Sequence, residues 1–271
     1  MISDEEFERI ARYLKKRYGI DMGNKKIIMN GRLENYVSNH GYKNYTEFID
    51  AIEAAPGGET ELQLVNMLTT NHTYFMREAD HFDYMRDTVI PWIRKREAVS
   101  RDMRIWCGAS STGEEPYELA ILTMETLGID EKRWDTSILA TDISEEVLHK
   151  AISGIYEEEQ ISALPEAWKR KYFRHISSSK MYQATDELKK HVIYRKFNLM
   201  DDFPFRKQLH VIFMRNVMIY FDEPTKKKLI HKIYDALLPG GYLFVGKTET
   251  IDKEGTDFEM IQPSIFRKPL R

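Results

Sequence analysis

Apolar residues recur at helical spacing through the first 70 residues, and no stretch there alternates as a strand would. The first apolar run follows the capping box Ser3-Asp4-Glu5-Glu6 and stops at Gly19. A second run follows the expected cap Asn24, a third ends at Pro56-Gly57-Gly58, and a fourth covers Leu62 to Leu68. This pattern predicts a small bundle of four helices.

The pattern changes after residue 100, where short apolar runs alternate with longer amphipathic ones. Strands that alternate with helices indicate a parallel sheet with helices on both faces. We expect Ser144 to cap the second of these helices, and Pro239-Gly240-Gly241 to separate the last helix from the last strand. The runs predict strands at 104–107, 137–142, 210–214 and 242–245, and helices at 114–127, 144–151 and 223–238.

Residues 155–197 interrupt this alternation. Helical spacing from Leu164 to Phe173 precedes a weakly alternating stretch from Lys180 to Phe197, with a possible hairpin turn at Ser177-Ser178-Ser179-Lys180. We therefore expect an insertion that carries a small antiparallel sheet. The predicted organisation is a helical domain at 1–70, a linker and helix at 71–97, and a sheet domain at 98–271 with the insertion at about 155–197.

Composition excludes several classes of protein. The single cysteine, Cys107, rules out a disulfide framework within the chain and favours a reducing compartment. The net charge of −3 argues against a bulk nucleic-acid binder, and no apolar run reaches the roughly 18 residues of a membrane span. The acidic N-terminus does not resemble a signal peptide, and the eight histidines show no metal-ligand spacing. We expect a soluble cytoplasmic protein without a metal site.

Charge is unevenly distributed within the predicted helical bundle. All nine of its Lys and Arg residues lie between Arg9 and Lys43, where only Asp21 and Glu34 oppose them. These residues form either solvated helix faces or a docking surface for an acidic partner. The candidate docking residues are Arg9, Arg12, Lys25, Lys26 and Arg32.

The strongest local signal is a strand that ends at Gly108 and continues through the small-residue loop 109–113 into a helix beginning with Glu114 and Glu115. Such a loop lets backbone N–H groups approach a ligand closely. It lacks the Gly-Lys-Ser/Thr of a phosphate loop, and its two carboxylates suit a cationic group such as an ammonium. A tight turn with glutamates favouring the helix N-terminus explains the same residues. The loop alone leaves both interpretations open.

Asp142 ends the second predicted strand. In doubly wound sheets an acid at that strand end commonly binds the ribose hydroxyls of a nucleoside. The alternative role is a helix cap, although Ser144 already occupies the capping position. A loop suited to an ammonium and an acid suited to a ribose together describe S-adenosylmethionine better than a dinucleotide.

Six stretches match a single family in order over nearly the whole chain, at 68–82, 109–117, 139–144, 154–156, 197–199 and 215–222. In these stretches the chain resembles the CheR family of chemotaxis receptor methyltransferases, which methylate glutamates on bacterial chemoreceptors. Where the family usually has Ser, this chain has Glu118, which we expect to leave the loop undisturbed. The resemblance implies an α/β fold. Its elements are a class I S-adenosylmethionine-dependent methyltransferase (Rossmann-like) sheet of seven strands, an all-α N-terminal receptor-docking domain and a small antiparallel β insertion.

The resemblance also implies roles for single residues. Arg77 and Tyr220 match the residues proposed to act at the reacting centre, and Glu115, rather than Glu114, matches the acid near the methionine amino group. Asp142 matches the ribose ligand. Each residue alone also has a structural explanation, such as capping or core packing. The implied cofactor-binding set is Asn71, Thr73, Arg77, Gly108, Glu115, Asp142, Asn198, Leu199, Arg215 and Asn216.

The implied activity is transfer of a methyl group from S-adenosylmethionine to receptor glutamates, with S-adenosylhomocysteine as product. The expected partners are the cytoplasmic domains of chemoreceptors, bound by a monomer without nucleic acid or membrane insertion. We expect no pentapeptide tether, because the stretch from Arg174 to Gln183 contains no glycine and is shorter than the Gly-rich loop of tethering members. The rival interpretations are methylation of another substrate and a non-catalytic module that binds the cofactor and signals to a partner.

Overall fold

The structure, a computed structural model, describes residues 1–69, 71–252 and 254–271. It divides into two compact units, residues 1–71 with 220–226 and residues 72–219 with 227–271. The expected domain boundary, residue 70, lies outside the described ranges. Within those ranges, no helix combines the length and the apolar composition needed to cross a bilayer.

The first unit is the predicted four-helix bundle, with helices α1 (Asp4–Tyr18), α2 (Lys26–Asn39), α3 (Tyr45–Ala54) and α4 (Glu59–Leu68). The capping box at Ser3 is confirmed, and Gly19 ends α1 in the left-handed conformation. The predicted cap Asn24 is wrong. It lies in a turn closed by the N–H of Lys25 and the carbonyl of Met22, so α2 begins later and without a side-chain cap.

Several of the basic residues predicted as a docking surface are paired inside the first unit. Arg9 forms ion pairs with Asp50 and Glu53, and Lys26 with Asp4. The acids come from the N-terminus of α1 and from α3, far away in sequence. Acidic residues of the bundle therefore neutralise part of the positive charge between Arg9 and Lys43.

The second unit begins with an extended segment and a turn at residues 72–78, followed by α5 (Ala79–Tyr84), a π-helical turn (Met85–Val89) and α6 (Ile90–Arg96). Phe82, Val89 and Ile93 are buried in the core of this unit. These elements lie in the stretch predicted as a linker and helix.

A seven-stranded sheet forms the centre of the second unit, which confirms the predicted strand number. Its order is β6-β2-β1-β7-β8-β10-β9, with β6, β2, β1, β7 and β8 parallel and β10 antiparallel to both of its neighbours. The strands are β1 (Ile105–Gly108), β2 (Ile138–Asp142), β6 (Val192–Lys196), β7 (Leu209–Met214), β8 (Leu237–Val245), β9 (Glu259–Gln262) and β10 (Ile265–Arg267).

The helices that follow the parallel strands are α7 (Glu114–Leu127), α8 (Glu145–Ser153) and α12 (Glu223–Ala236). Ser144 caps α8 as predicted, by accepting the N–H of Val147. The predicted end of the last helix at Leu238 is wrong, because β8 already starts at Leu237 and contains Pro239-Gly240-Gly241. Backbone hydrogen bonds from this segment to Lys268 explain why it is a strand rather than a free turn.

The insertion carries a three-stranded antiparallel sheet in the order β3-β5-β4, which confirms that prediction. Its predicted end at residue 197 is wrong, since β6 at 192–196 belongs to the main sheet and pairs with β2 in parallel. Exposed Ile193, Arg195 and Lys196 give this edge strand the weak alternation of a hairpin. The insertion comprises β3 (Ile155–Glu157), α9 (Glu158–Ile161), α10 (Glu166–Tyr172), β4 (Phe173–His175), β5 (Met181–Ala184) and α11 (Asp186–Lys190).

Gly113 lies at the end of the loop that precedes α7, where neighbouring side chains leave little room for a larger residue. Its φ is +95°, and an added Cβ would lie 2.7 Å from the Tyr194 hydroxyl and 2.8 Å from the Ala151 Cβ. Gly113→Ala should therefore lower the free energy of unfolding by more than the roughly 1–2 kcal/mol cost of the left-handed conformation alone. Urea unfolding followed by tryptophan fluorescence measures this loss.

The matched control is Gly41→Ala, with both variants also followed by far-UV circular dichroism, because the four tryptophans lie in the second unit. Gly41 also has a positive φ, +81°, but an added Cβ meets no atom within 4 Å. This variant should lose the conformational part only. Equal losses in the two variants would show that steric crowding is not the reason for glycine at position 113.

Candidate active site

Four parallel strands end side by side at one edge of the sheet. Gly108 is in register with Thr141, Asp142 with Lys196, and Cys107 with Phe213. The residues that follow these strand ends therefore lie next to one another, where open α/β sheets bind ligands. They include the loop 109–113 after β1, Asn198 and Leu199 after β6, and Arg215 and Asn216 after β7.

The loop after β1 is held in an unusual conformation. Ala109 and Ser111 have φ values of +58° and +48°, which non-glycine residues rarely adopt. Gly108 has a packing reason of its own, since an added Cβ would lie 2.5 Å from the Met214 Cε. The Ser110 hydroxyl is buried and, among the described residues, has no hydrogen-bond partner. A polar ligand at this loop would satisfy that hydroxyl.

Asp142 anchors the loop from the end of β2. Its carboxylate accepts the N–H of Ser111 at 2.8 Å and the N–H of Ser144 at 3.0 Å. The side chain is only 6% exposed, and burial raises the pKa of this carboxyl. The structure thus adds a bracing role to the predicted ribose-binding role.

Arg215 is the central cation of the site. Its guanidinium donates to the carboxylates of Glu115 at 2.5 Å and Glu78 at 3.1 Å, and to the carbonyl of Arg77 at 2.5 Å. Burial opposes the charge of Arg215, yet the two carboxylates outweigh it and raise its pKa. The predicted residues Arg77, Glu115 and Arg215 are therefore brought together.

Cys107 packs beside this network and donates to Glu115, with an Sγ–Oε1 distance of 2.7 Å. Burial raises the pKa of its thiol, and the negative charge of Glu115 raises it further. A buried neutral thiol is a poor nucleophile. This environment fits a packing role for Cys107 rather than a catalytic one.

Sequence reasoning missed two carboxylates at this edge, Glu78 and Glu249. Glu78 binds Arg215 and also accepts the N–H of Lys247 at 3.1 Å. Burial tends to raise the pKa of Glu78, but Arg215 and the Lys247 N–H lower it overall. Glu249 accepts the N–H groups of Asn216 and Met218 at 2.8 and 2.7 Å, which fixes the loop after β7. Glu249 follows the end of β8, so the strand-end rule that identified Asp142 also points to it.

Asn198 and Leu199 follow β6 next to Asp142, whose carbonyl accepts the N–H of Phe197 at 2.9 Å. The Asn198 side chain accepts the N–H of Met200 at 3.0 Å, and Leu199 is buried. Asn198 therefore stabilises a turn at this strand end. That position is compatible with the cofactor-binding role that the family resemblance implies for Asn198 and Leu199.

Two predicted site residues, Asn71 and Tyr220, belong to the first unit. The Tyr220 carbonyl accepts the N–H of Asp21 at 2.8 Å. Thr73 is half-buried in the extended segment of the second unit. The Arg77 side chain donates to the carbonyl of His72 at 2.8 Å and lies 5.7 Å from the centre of the Tyr74 ring. The roles of these residues remain predictions.

Two further glutamates on α7 are buried. Glu114 accepts the Thr112 hydroxyl at 2.7 Å, and burial raises its pKa. Glu118 is 1% exposed and accepts the N–H of Met76 at 2.9 Å. Burial raises the pKa of Glu118 to about 8. Glu118 therefore contacts the linker, a role that the sequence did not indicate.

The donor and acceptor groups at this edge fit S-adenosylmethionine. The carboxylates of Glu115 and Asp142 have the chemistry to accept hydrogen bonds from an ammonium and a ribose diol, and the Ser110 hydroxyl lacks a partner among the described residues. No group of His, Cys, Asp and Glu able to hold a metal ion occurs among the residues that the structure describes.

Comparison with known proteins identifies the same family that the sequence motifs resemble. Residues 71–266 match the family model of the CheR methyltransferase SAM binding domain, and residues 5–69 match that of the CheR methyltransferase all-alpha domain. A chemotaxis protein methyltransferase of Borreliella burgdorferi is 37% identical over 98% of this chain and 95% of its own length. A chemotaxis protein methyltransferase of Escherichia coli is 34% identical over 92% of this chain and 85% of its own length.

The buried carboxyl of Glu118 predicts a pH dependence of stability. The unfolded chain releases this proton near pH 4.5, whereas the folded protein holds it to about pH 8. The stabilising contribution is thus fully present below pH 4.5 and is lost as the pH rises toward 8, by roughly 1.4 kcal/mol per pH unit at most. Glu118→Gln should lack this loss, so its unfolding free energy should rise relative to that of the wild type between pH 5 and 8.

Urea unfolding of both proteins at each pH unit from 5 to 9 measures this difference. The exposed Glu159→Gln is the control, because its side chain meets solvent in the folded and the unfolded chain alike. A difference between wild type and Glu118→Gln that does not change with pH would contradict the prediction.

Proposed function

The chain belongs to the CheR methyltransferase family, and on that premise we propose that it methylates glutamate side chains of bacterial chemoreceptors. It is an S-adenosylmethionine-dependent methyltransferase of chemotaxis, as its family and relatives indicate. We also propose a cytoplasmic location, because the signalling domains of such receptors lie in the cytoplasm.

One observation carries the proposal, namely the two carboxylates on either side of the loop 109–113. Asp142 binds the loop through the N–H of Ser111, and Glu115 follows the loop on α7 and pairs with Arg215. In our proposal Asp142 receives the ribose hydroxyls and Glu115 lies near the methionine ammonium. Asn198 and Leu199 line the adenine. Asn71, Thr73, Gly108 and Asn216 complete the binding set.

The acceptor chemistry needs little activation. S-adenosylmethionine supplies an electrophilic methyl group on a sulfonium. A glutamate side chain is already ionised at pH 7, so its carboxylate accepts the methyl group without a general base. The remaining tasks are alignment and exclusion of water. We assign Arg77 to orient the carboxylate, and Tyr220 to donate a hydrogen bond or pack beside the reacting groups.

Receptor docking is assigned to the first unit. An open cleft of about 740 Å³ along α1 is lined by four basic residues and two acidic ones, namely Arg9, Arg12, Lys16, Arg17, Glu5 and Glu53. Arg12, Lys16 and Lys25 are exposed and, within the described ranges, have no ion pair. Basic side chains of this kind attract the acidic, glutamate-bearing helices of a receptor.

The β insertion supports docking without a pentapeptide tether. Its β4–β5 hairpin turns through Ser178, at a φ of +64°, and Ser179 closes the turn by donating to the carbonyl of Ile176. The turn contains no glycine, so it has fewer ways to open an edge for an added peptide strand. We propose that a monomer recognises the receptor through the first unit alone.

The docking assignment is tested by charge reversal. Arg12→Glu, Lys16→Glu and Lys25→Glu together should raise the KM for a receptor fragment lacking its C-terminal tail. The affinity for S-adenosylhomocysteine should stay unchanged. Added salt should weaken wild-type activity, because exposed charges are screened beyond about 8 Å at physiological ionic strength. Arg32 is left unchanged, since its guanidinium donates to the carbonyls of Met67 and Leu68.

The matched control reverses three exposed lysines of the second unit, Lys95, Lys132 and Lys228. This control should keep the wild-type KM for the receptor. If both triple variants change the KM equally, or neither changes it, the basic residues of the first unit are only solvated side chains.

Cofactor binding is tested at Asp142. Asp142→Ala removes an acceptor for two hydroxyls, so calorimetry should show S-adenosylhomocysteine binding weaker by on the order of 1–3 kcal/mol. The variant will also lose stability, because the carboxylate braces Ser111 and Ser144. Ser144→Ala is the control for that loss, since it removes the cap of α8 at a cost of about 1 kcal/mol and keeps the carboxylate. Equal affinities of the two variants would overturn the assignment.

A further inference from the structure

The segment that carries Arg77 has a strained backbone. Met76 and Glu78, on either side of Arg77, have φ values of +64° and +56°. Side chains other than glycine rarely adopt this left-handed conformation, and two such residues in one turn need external contacts to persist. The turn at 76–78 is therefore held by its neighbours rather than by its own sequence.

Three groups that are distant in sequence contact this turn. Arg215 donates to the carbonyl of Arg77 and pairs with Glu78, and the N–H of Lys247 donates to Glu78. The third group is Glu118, whose Oε2 accepts the N–H of Met76 at 2.9 Å. Among these contacts, only that of Glu118 fixes the residue immediately before Arg77.

Glu118 lies one helical turn after Glu115 on α7, so both side chains point from the same face of the helix. The charged groups that act on Glu118 are Arg215 and Glu115. A contact from this position couples the turn at 76–78 to the helix that follows the small-residue loop. The helix α7 therefore carries Glu115, the proposed ammonium-binding acid, and also holds the linker turn through Glu118.

Burial of Glu118 is costly, and packing alone does not require it. The side chain is 1% exposed, and its Oε1 has no hydrogen-bond partner among the described residues. Its neighbours Leu119 and Ala120 are core residues, where an apolar side chain would avoid the cost. The hydrogen bond from the Met76 N–H to Glu118 offsets this cost of burial.

We propose that Glu118 is a positioning residue of the methyl-transfer site, which holds the turn at 76–78 so that Arg77 is presented to the substrate carboxylate. This inference rests on the proposed function of Arg77.

The test compares Glu118→Ala, Glu118→Gln and Leu122→Ala. Glu118→Ala should lower kcat about 10-fold, the value of one lost hydrogen bond, and leave the KM for receptor within about twofold. The Met76 amide should exchange with solvent about 10-fold faster in the same variant. Glu118→Gln should restore both properties, because its amide oxygen accepts the same N–H.

Leu122→Ala controls for loss of stability in the same helix, since Leu122 is buried but its side chain has no acceptor for the Met76 N–H. It should leave kcat and Met76 exchange near wild-type values below its melting temperature. The inference is overturned if Glu118→Ala matches Leu122→Ala in both readouts, or if Glu118→Gln fails to restore them. A wild-type protein that does not methylate the receptor would refute the proposed function, whereas Met76 exchange would still decide the role of Glu118.

Discussion

The buried guanidinium of Arg215 is the interaction on which the ligand-binding edge of the second unit depends. A buried cation is costly unless charges and hydrogen bonds compensate it. Here Glu78, Glu115 and the carbonyl of Arg77 do so, and the Phe82 ring lies 5.6 Å from the Arg215 Cζ. Removing Glu78 or Glu115 would leave part of the buried guanidinium without its hydrogen-bond acceptor. The linker, the start of α7 and the end of β7 are therefore fixed together.

The same edge shows how a common sheet acquires a specific chemistry. Parallel strands bring their carboxyl ends together, and the residues just beyond them decide which ligand fits. In this chain Asp142 and Glu115 flank the loop 109–113, and in our proposal their carboxylates receive the ribose and the ammonium of the cofactor. Methyl transfer to an ionised carboxylate mainly requires that donor and acceptor are aligned, and a rigid network of this kind helps to align them.

Much of the fold could be predicted because its signals are local. The capping box at Ser3, the apolar periods and the glycine stops identified the helices of the bundle. The end of the second strand identified Asp142, whereas Arg215 was implied by the family resemblance. The end of the insertion could not be found, because β6 is an edge strand whose exposed residues resemble a hairpin. The roles of Glu78, Glu249 and Glu118 depend on partners far away in sequence. The ion pairs of Arg9 and Lys26 escaped prediction for the same reason.

The central claim, that this edge transfers a methyl group to receptor glutamates, is tested most directly by the chemical nature of the product. The wild-type protein is incubated with methyl-labelled S-adenosylmethionine and a chemoreceptor cytoplasmic fragment without a C-terminal tail, and the labelled receptor is treated with alkali. A glutamate methyl ester releases the label as methanol, which is the result that our account predicts. Label that stays on the receptor after alkali, or no label at all, would contradict it.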